Sequence, residues 1–430
     1  MEPRPAMDLR ERAKPDPQSR EEVQRWALVG AYERDNMGDF LLLRATELLL
    51  ARPGRNLVRT APFTPAPGVM APERVVRWSD ELSARPAAVV WTVGGAVGAV
   101  SPQRAWSMSA PPAAWSSFRA TPPDERQSLL ADLLGADPAE HPLAYAPDPR
   151  ALLCGARAVR VMNSADLTAL GVLPPRSARG ILEDLHRIPL ISVRDADSQA
   201  LCREHGIAAD LAPDMVHTLL GKVRDLPAPR SLPVLLQVSD AHLSRVGADA
   251  LLDPLASSPT VSQTGVAIMC AGTASGHDSF EKAEELAAGL TERKIGVTIV
   301  RERQPEALLR LIAGSTAVVA TSLHLRILAC AHAVPRVSLP IAKVTCYART
   351  WDDRMPFDVA APDLAEALDV ALAAGPTDQQ DLGRQLADMA ERSALALAQR
   401  AEEMCQDRWG VSAPAFSKPS LSEPSIAGRA

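Results

Sequence analysis

The chain has 430 residues, a formal net charge of −6, 47% hydrophobic residues and 23% charged residues. This composition is typical of a globular protein, and the length allows more than one hydrophobic core. Because the net charge is negative, neither nucleic acid nor an anionic membrane is an expected partner. No run approaches the roughly 20 apolar residues of a membrane helix. The six cysteines are dispersed without metal-ligand spacing, so we expect a cytoplasmic protein with free thiols and no integral membrane segment.

The first half of the chain alternates short apolar runs with amphipathic stretches, a pattern that predicts a parallel sheet covered by helices. We predict a disordered tail at 1–20 and a Rossmann-like domain at 21–220. The stretch 99–123 follows neither the helical nor the strand period, so an irregular loop or lid is expected there. The predicted strands of this half are 27–31, 56–60, 87–93, 158–162 and 189–193.

A charged, proline-rich stretch at 221–233 is typical of an interdomain linker. A second Rossmann-like domain is predicted at 234–375, then a long helix at 376–410 packing across both domains, and a disordered tail at 411–430. The predicted fold class is α/β, with two doubly wound domains facing a cleft in a glycosyltransferase-B-like arrangement. The predicted strands and helices of the second domain are strands 234–238, 265–270, 296–300, 317–320 and 335–339 and helices 279–293, 305–313 and 323–333.

Polar residues follow the first predicted strand in the pattern Gly30-x-Tyr32-x-x-x-Asn36-x-Gly38-Asp39. Open α/β sheets bind ligands at the carboxyl ends of their strands, so Asn36, Gly38 and Asp39 are candidate site residues. The pattern resembles the opening segment of the polysaccharide pyruvyl transferase family.

A second segment resembles the glycine-rich turn of the same family and contains Gly94 and Gly95 after a buried strand. Glycines at this position allow close approach of the backbone to a ligand, although a tight turn against a helix explains them equally well. Ala96 stands where a dinucleotide-binding fingerprint needs a glycine, so that fingerprint is not supported.

A third segment, Ser192-x-Arg194-Asp195-x-x-Ser198, is similar to a strand end of the family. Asp195 is expected to cap the following helix, which Gly206 would close. For Arg194 two roles stay open, an ion pair within the protein or a contact with a bound anion. Asp214 lies at a position that the family keeps acidic, and a purely structural role is also possible for it.

The fourth segment is Thr321-Ser322-Leu323-His324-Leu325-Arg326, which follows a predicted strand and opens a helix. It resembles the family pattern Ser/Thr-x-Arg-Leu-His, with His324 matching and Ser322 standing at the arginine position. The resemblance implies that this arginine binds the donor anion. We expect two replacements to act together, namely backbone N–H groups at a helix start capped by Ser322 and the side chain of Arg326.

Three further residues stand after predicted strands of the second domain and also look like family positions. They are His277, Asp278 and Lys343. The first two are equally explained as residues at the start of a helix, and a surface lysine is the common alternative for Lys343.

The resemblance implies transfer of a pyruvyl group from phosphoenolpyruvate to sugar hydroxyls, with ketal formation and release of phosphate. His324 is expected as the general acid, unless it packs only structurally, and Asp39 as the base or acceptor-orienting carboxylate. Arg194, Arg326 and Lys343 are the expected anion clamps. Phosphoenolpyruvate is the donor substrate, no cofactor or metal is expected, and the acceptor is a glycan or a lipid-linked sugar. Two alternatives stay open, a glycosyltransferase that uses a nucleotide sugar and a noncatalytic relative that binds glycan.

Overall fold

A computed structural model describes residues 24–65, 74–152, 158–221, 231–274 and 277–409. Both predicted tails and most of the predicted linker lie outside these ranges. The cysteines within them are all free thiols. No helix in this part of the chain is long and apolar enough to cross a membrane.

Seven of the described strands form one parallel sheet in the first domain, in the order β3-β2-β1-β4-β5-β6-β7. The central strands are buried along their whole length, as expected for a sheet with helices on both faces. The strands are β1 (Gln24–Val29), β2 (Arg55–Ala61), β3 (Val76–Arg77), β4 (Val89–Thr92), β5 (Val159–Ala165), β6 (Leu190–Val193) and β7 (Asp210–Leu211).

A second parallel sheet contains five described strands in the order β10-β9-β8-β11-β12. Its strands are short apolar runs, and four of the five are completely buried. They are β8 (Val234–Gln237), β9 (Val266–Met269), β10 (Val297–Val300), β11 (Val318–Ala320) and β12 (Arg336–Ser338).

Helices connect successive strands in both domains. Those up to β7 are α1 (Met37–Leu50), α2 (Trp78–Ala84), α3 (Pro102–Ser109), α4 (Pro112–Ala120), α5 (Pro123–Leu134), α6 (Pro175–Leu185) and α7 (Ala196–Glu204). Those after β8 are α8 (Asp240–Val246), α9 (Ala248–Ser257), α10 (Pro259–Thr264), α11 (Phe280–Glu292), α12 (Pro305–Gly314), α13 (Leu323–Ala331), α14 (Ala342–Trp351), α15 (Leu364–Ala373) and α16 (Pro376–Trp409).

The stretch 99–123 is not an irregular loop, so that prediction is wrong. It contains α3 and α4 and the beginning of α5. Each of these helices has a proline in its first turn, where the missing N–H has no intrahelical partner to lose. The paired prolines therefore mark helix starts here instead of breaking the helical structure.

Each sheet has one point where its strand order reverses direction, and the two points face each other. In the first sheet β1 has β2 on one side and β4 on the other, and in the second sheet β8 lies between β9 and β11. Loops on either side of such a point diverge and leave a crevice at the carboxyl ends of the strands. The topology therefore places the loops after β1 and β4 beside the crevice of the first sheet, and the loops after β8 and β11 beside the crevice of the second sheet.

The two domains share a hydrophobic core. One buried cluster joins Trp26 and Trp91 of the first sheet with Leu235 of the second sheet and Leu397 of α16. Direct hydrogen bonds also cross between the domains, including Met37 N–H to the Ala271 carbonyl at 2.8 Å. Because so much apolar surface is shared, the structure describes the domains in a closed arrangement.

The long helix α16 contacts both domains. Near its start, Gln379 accepts a hydrogen bond from Arg336 of β12 at 2.9 Å. Near its end, Glu402 binds the guanidinium groups of Arg52 and Arg55 in the first domain, and Cys405 donates to the Ala88 carbonyl. The helix thus begins on the second domain and ends on the first.

Candidate active site

A cavity of about 600 Å³ lies between the domains, at the carboxyl ends of both sheets. This volume is in the ordinary range for sites that bind small molecules. Its lining comes from the ends of eight strands and the segments that follow them, and it includes most of the residues singled out from the sequence. The polar and charged lining residues are Arg34, Asn36, Asp39, Ser101, Arg104, Arg194, Gln237, Ser239, His277, Asp278, Thr321, Ser322, His324 and Lys343.

His324 lies on the first turn of α13, which Ser322 caps by accepting a hydrogen bond from Leu325 N–H. Its ring packs on Gly38 of the first domain so closely that a Cβ there would lie 1.7 Å from Nδ1. Burial, with a further contribution from the positive charge of Arg194, lowers the pKa of His324 to about 3. The imidazole of the unliganded protein is therefore neutral at pH 7.

Asp39 enters the cavity from the first turn of α1, the helix that Asn36 caps through Gly38 N–H at 2.9 Å. Its Oδ2 accepts a hydrogen bond from Arg34 Nε at 2.9 Å, and both side chains are 5% exposed. Asp39 and Arg34 thus form a buried ion pair in the wall of the cavity. The structure brings Asp39 and His324, which the sequence places in different domains, into the lining of one cavity.

Arg194 lines the cavity, but its charge is offset within the protein. It donates to Asp166 Oδ2 at 2.8 Å and to Asp214 Oδ2 at 3.2 Å. Burial alone lowers the pKa of Arg194, yet the two carboxylates raise it above the ordinary value. Of the two roles left open by the sequence, the ion pair is the one that the structure contains. Asp195 caps α7 through Ser198 N–H at 2.7 Å, as predicted.

Three basic side chains of the cavity have no carboxylate partner within the described ranges, namely Lys343, Arg104 and His277. Burial and the nearby charges of Arg194 and Arg34 lower the pKa of Lys343. Burial also lowers the pKa of His277 to about 4. Arg104 lies on α3, in the stretch where the sequence predicted no helix, and no motif drew attention to it.

Asp278 is held in a network that joins three loops of the second sheet. It accepts hydrogen bonds from Gln237 Nε2 at 2.8 Å and from Ala271 N–H at 2.6 Å, and burial raises its pKa to about 7. Gln237 in turn accepts from Ser322 N–H at 2.8 Å. Asp278 therefore holds the end of β8 and the loop after β9 in position. The residue that caps helix α11 is its neighbour, Ser279. No motif in the sequence points to Gln237, a polar residue that ends an otherwise apolar strand.

Arg326 does not reach the cavity, so the prediction that it replaces the family arginine is corrected. Its side chain is buried on the opposite side of α13 and forms an ion pair with Asp352 at 2.9 Å. It also donates to Ser338 Oγ and to the carbonyls of Met355 and Pro356. Every one of these contacts is internal to the second domain.

The glycines after β1 and β4 are not among the lining residues of the cavity. Gly94 and Gly95 have φ values of 102° and 81°, where side chains are strained. A Cβ on Gly94 would also lie 2.5 Å from the Asn163 carbonyl. The predicted contact of Gly94 and Gly95 with substrate is therefore corrected, since both residues form a tight turn. Gly38 does not line the cavity either, and its missing side chain leaves room for the ring of His324.

The comparisons with known proteins agree with this geometry. Residues 169–341 match the family model of polysaccharide pyruvyl transferase. The resemblance inferred from the sequence is confirmed over these residues, which are less than half of the chain but include Arg194, His277 and His324. The match supports a transferase that modifies glycans. Asp39 and Lys343 lie outside the matched residues. A comparison with curated proteins found no match.

Solved structures similar to this chain include the UDP-GlcNAc 2-epimerase from Neisseria meningitidis bound to UDP-GlcNAc. It has a TM-score of 0.50 and 9% identity, covering 88% of this chain and 100% of that chain. A putative UDP-N-acetylglucosamine 2-epimerase from Listeria monocytogenes also has a TM-score of 0.50, with 10% identity, covering 91% of this chain and 98% of that chain. At these identities the likeness shows the fold alone. Together with the two parallel sheets, it confirms the predicted α/β class and the glycosyltransferase-B-like arrangement of the domains.

Proposed function

We propose that the protein transfers a pyruvyl group from phosphoenolpyruvate to two hydroxyls of a sugar in a glycan or lipid-linked acceptor. The observation that carries this proposal is the convergence of His324 and Asp39, from opposite domains, on a cavity that also contains Lys343 and Arg104, for which the described part of the chain offers no carboxylate partner. The match of residues 169–341 to the pyruvyl transferase family supports the same reaction class.

The donor carries a phosphate and a carboxylate, so it needs cationic partners. Lys343 from the second domain and Arg104 from the first are the candidates for the role that the family arginine would fill. The backbone N–H groups of Leu323 and His324 have no hydrogen-bond acceptor within the described ranges. They lie at the start of α13, where a helix favours negative charge. Phosphate at this helix start would therefore lie beside His324.

The acid of the reaction must give a proton to the methylene carbon of the donor. His324 is neutral in the unliganded site, where burial disfavours its cation by about 5 kcal/mol, since its pKa falls from 6.5 to about 3. A negative charge about 5 Å away favours the cation by about 3 kcal/mol at an effective dielectric constant near 20. The two anionic groups of the donor thus offset the burial penalty, and the donor itself brings His324 into its acidic form.

The proposed steps balance in atoms and protons. Protonation of the methylene group makes a methyl group and an oxocarbenium-like carbon, which the first sugar hydroxyl attacks. Loss of phosphate by cleavage of the carbon–oxygen bond regenerates such a carbon for the second hydroxyl, and a cyclic ketal results. One of the two hydroxyl protons replaces the proton given by His324, and the other leaves with phosphate.

Asp39 is the proposed acceptor of a hydroxyl proton. It lines the cavity from the first turn of α1, where its ion pair with Arg34 holds it in place. A carboxylate is sufficient as the base here because a hydroxyl that is bonding to an oxocarbenium-like carbon is strongly acidic. No step of this scheme requires a cofactor.

A nucleotide-sugar donor is less well supported by the lining of the second domain. Such donors are commonly held by a carboxylate that binds the ribose hydroxyls. Among the described residues that line the cavity from this domain, Asp278 is the one carboxylate, and its oxygens already accept hydrogen bonds from Gln237 and Ala271.

The test is incubation of the purified protein with phosphoenolpyruvate and candidate glycans, followed by measurement of released phosphate and of the acceptor mass. His324→Ala should abolish phosphate release without unfolding the protein. His205→Ala, an exposed histidine at the end of α7, is the matched control. Undiminished release by His324→Ala would remove this residue from the mechanism. Thermal stabilisation by nucleotide sugars but not by phosphoenolpyruvate would refute the proposed donor.

A further inference from the structure

A buried carboxylate that has no role in the steps of the proposed reaction lies behind His324. Asp214 is completely buried, and its Oδ2 is 3.8 Å from His324 Nε2. Asp214 belongs to the first domain and His324 to the second. The contact therefore exists only while the domains are closed.

The two nitrogens of the His324 ring have different surroundings. Nε2 is sealed within the protein and has no hydrogen-bond partner among the described residues. Nδ1 lies on the side of Gly38, where the ring borders the cavity. The ring is therefore oriented with Nε2 toward Asp214 and Nδ1 toward Gly38, at the edge of the cavity.

Asp214 is itself held firmly in place. Its Oδ1 accepts from Val216 N–H at 3.0 Å, and its backbone N–H donates to the Tyr347 hydroxyl at 3.2 Å. That hydroxyl is hydrogen-bonded to His217 Nε2 at 3.0 Å. Oδ2 accepts one hydrogen bond, from Arg194 at 3.2 Å, and a carboxylate oxygen has a second lone pair available.

We propose that Asp214 is the positioning residue for His324, accepting a hydrogen bond from Nε2–H. This bond fixes the proton on Nε2 and leaves Nδ1 to exchange protons with the substrate. It also stabilises the imidazolium that the donor induces. A small shift of the ring that shortens the 3.8 Å separation between Nε2 and Oδ2 by about 1 Å brings the two atoms to hydrogen-bond distance.

The other charged groups around His324 do not provide this orientation. Arg194 and Lys343 repel its cation, and so does Arg34, whereas Asp39 favours the cation from α1. Among the described residues, Asp214 is the one carboxylate within ion-pair distance of the ring. A carboxylate behind the imidazole selects the tautomer and supports the charged ring in the same way as in catalytic triads.

The catalytic part of this inference rests on the proposed function, whereas the tautomer does not. The first measurement is therefore ¹⁵N NMR of histidine-labelled full-length protein at pH 7, with the His324 signals assigned by their loss in His324→Gln. The wild type should carry its proton on Nε2. A wild-type proton on Nδ1 would overturn the proposal without any Asp214 variant.

Asp214→Asn is the second arm, and Asp166→Asn is its matched control because Asp166 also pairs with Arg194. Asp214→Asn should lose the Nε2–H preference and lower kcat with phosphoenolpyruvate by about 10²-fold at little change in KM. Asp166→Asn should keep the tautomer. An equal change of tautomer in both variants would assign the effect to Arg194 and overturn the role of Asp214. If the wild type turns over no phosphoenolpyruvate, the proposed function fails while the tautomer arm still decides this inference.

Discussion

Binding of phosphoenolpyruvate should be coupled to proton uptake by His324. In the unliganded protein, burial holds the pKa of this group at about 3, so it is neutral at pH 7. The phosphate and carboxylate of the donor together favour the cation by about 6 kcal/mol, against a burial penalty of about 5 kcal/mol. Since the complex holds a proton that the free protein lacks, affinity should rise as the pH falls from about 8 toward about 6, below which the donor phosphate itself takes up a proton.

Isothermal titration calorimetry at pH 7, in buffers of different ionisation enthalpy, measures this proton directly. With about 6 kcal/mol from the donor, the pKa of His324 rises from about 3 to about 7.4, so the wild type should take up about 0.7 proton for each donor bound. His324→Gln should take up much less, whereas the control His205→Gln should match the wild type. Equal uptake by wild type and His324→Gln would refute the reasoning, because the proton would then go to another group.

Three further predictions follow from the same contacts. Arg104→Met should raise KM for phosphoenolpyruvate without changing stability. Arg326→Met should lower the free energy of unfolding by about 3 kcal/mol or more, because it leaves the buried carbonyls of Asp352, Met355 and Pro356 without their donor. Urea unfolding and steady-state kinetics separate the two effects. Gly38→Ala should lower kcat by about 10²-fold by displacing the catalytic imidazole, while Gly375→Ala, which has open space around it, should not. Burial lowers the pKa of His217 in the folded protein from 6.5 to about 4. As the pH drops below 6.5, the unfolded protein therefore binds a proton at His217 that the folded protein does not bind, and the free energy of unfolding falls. His217→Gln should therefore lose about 2 kcal/mol less unfolding free energy than wild type between pH 7 and pH 5, and an equal loss in urea titrations would contradict this reasoning.

The sequence predicts the sheets well because buried parallel strands are continuous apolar runs that interrupt an amphipathic pattern. It also predicts that polar residues after β1 and β11 share one cavity, because the carboxyl ends of parallel strands lie on one edge. The two-residue strands β3 and β7 were missed, since so short a run carries no periodicity.

The direction of a side chain was harder to predict than its position in the chain. His324 and Arg326 are two residues apart, and at about 100° per residue they point to nearly opposite sides of α13. One faces the cavity, so the other faces the domain interior, where Asp352 lies 26 residues further along the chain. Arg104 was missed for a different reason, since no motif surrounds it and its helix lies in the stretch where the sequence predicted an irregular loop.

Helix α16 has a consequence for how the molecule loses its structure. Its 34 residues span about 50 Å, from a contact with β12 to a buried carboxylate between Arg52 and Arg55. Neither domain can unfold without removing apolar contacts and ion pairs from this helix, which both domains share. The two halves should therefore denature in a single cooperative transition, with calorimetric and van't Hoff enthalpies that agree.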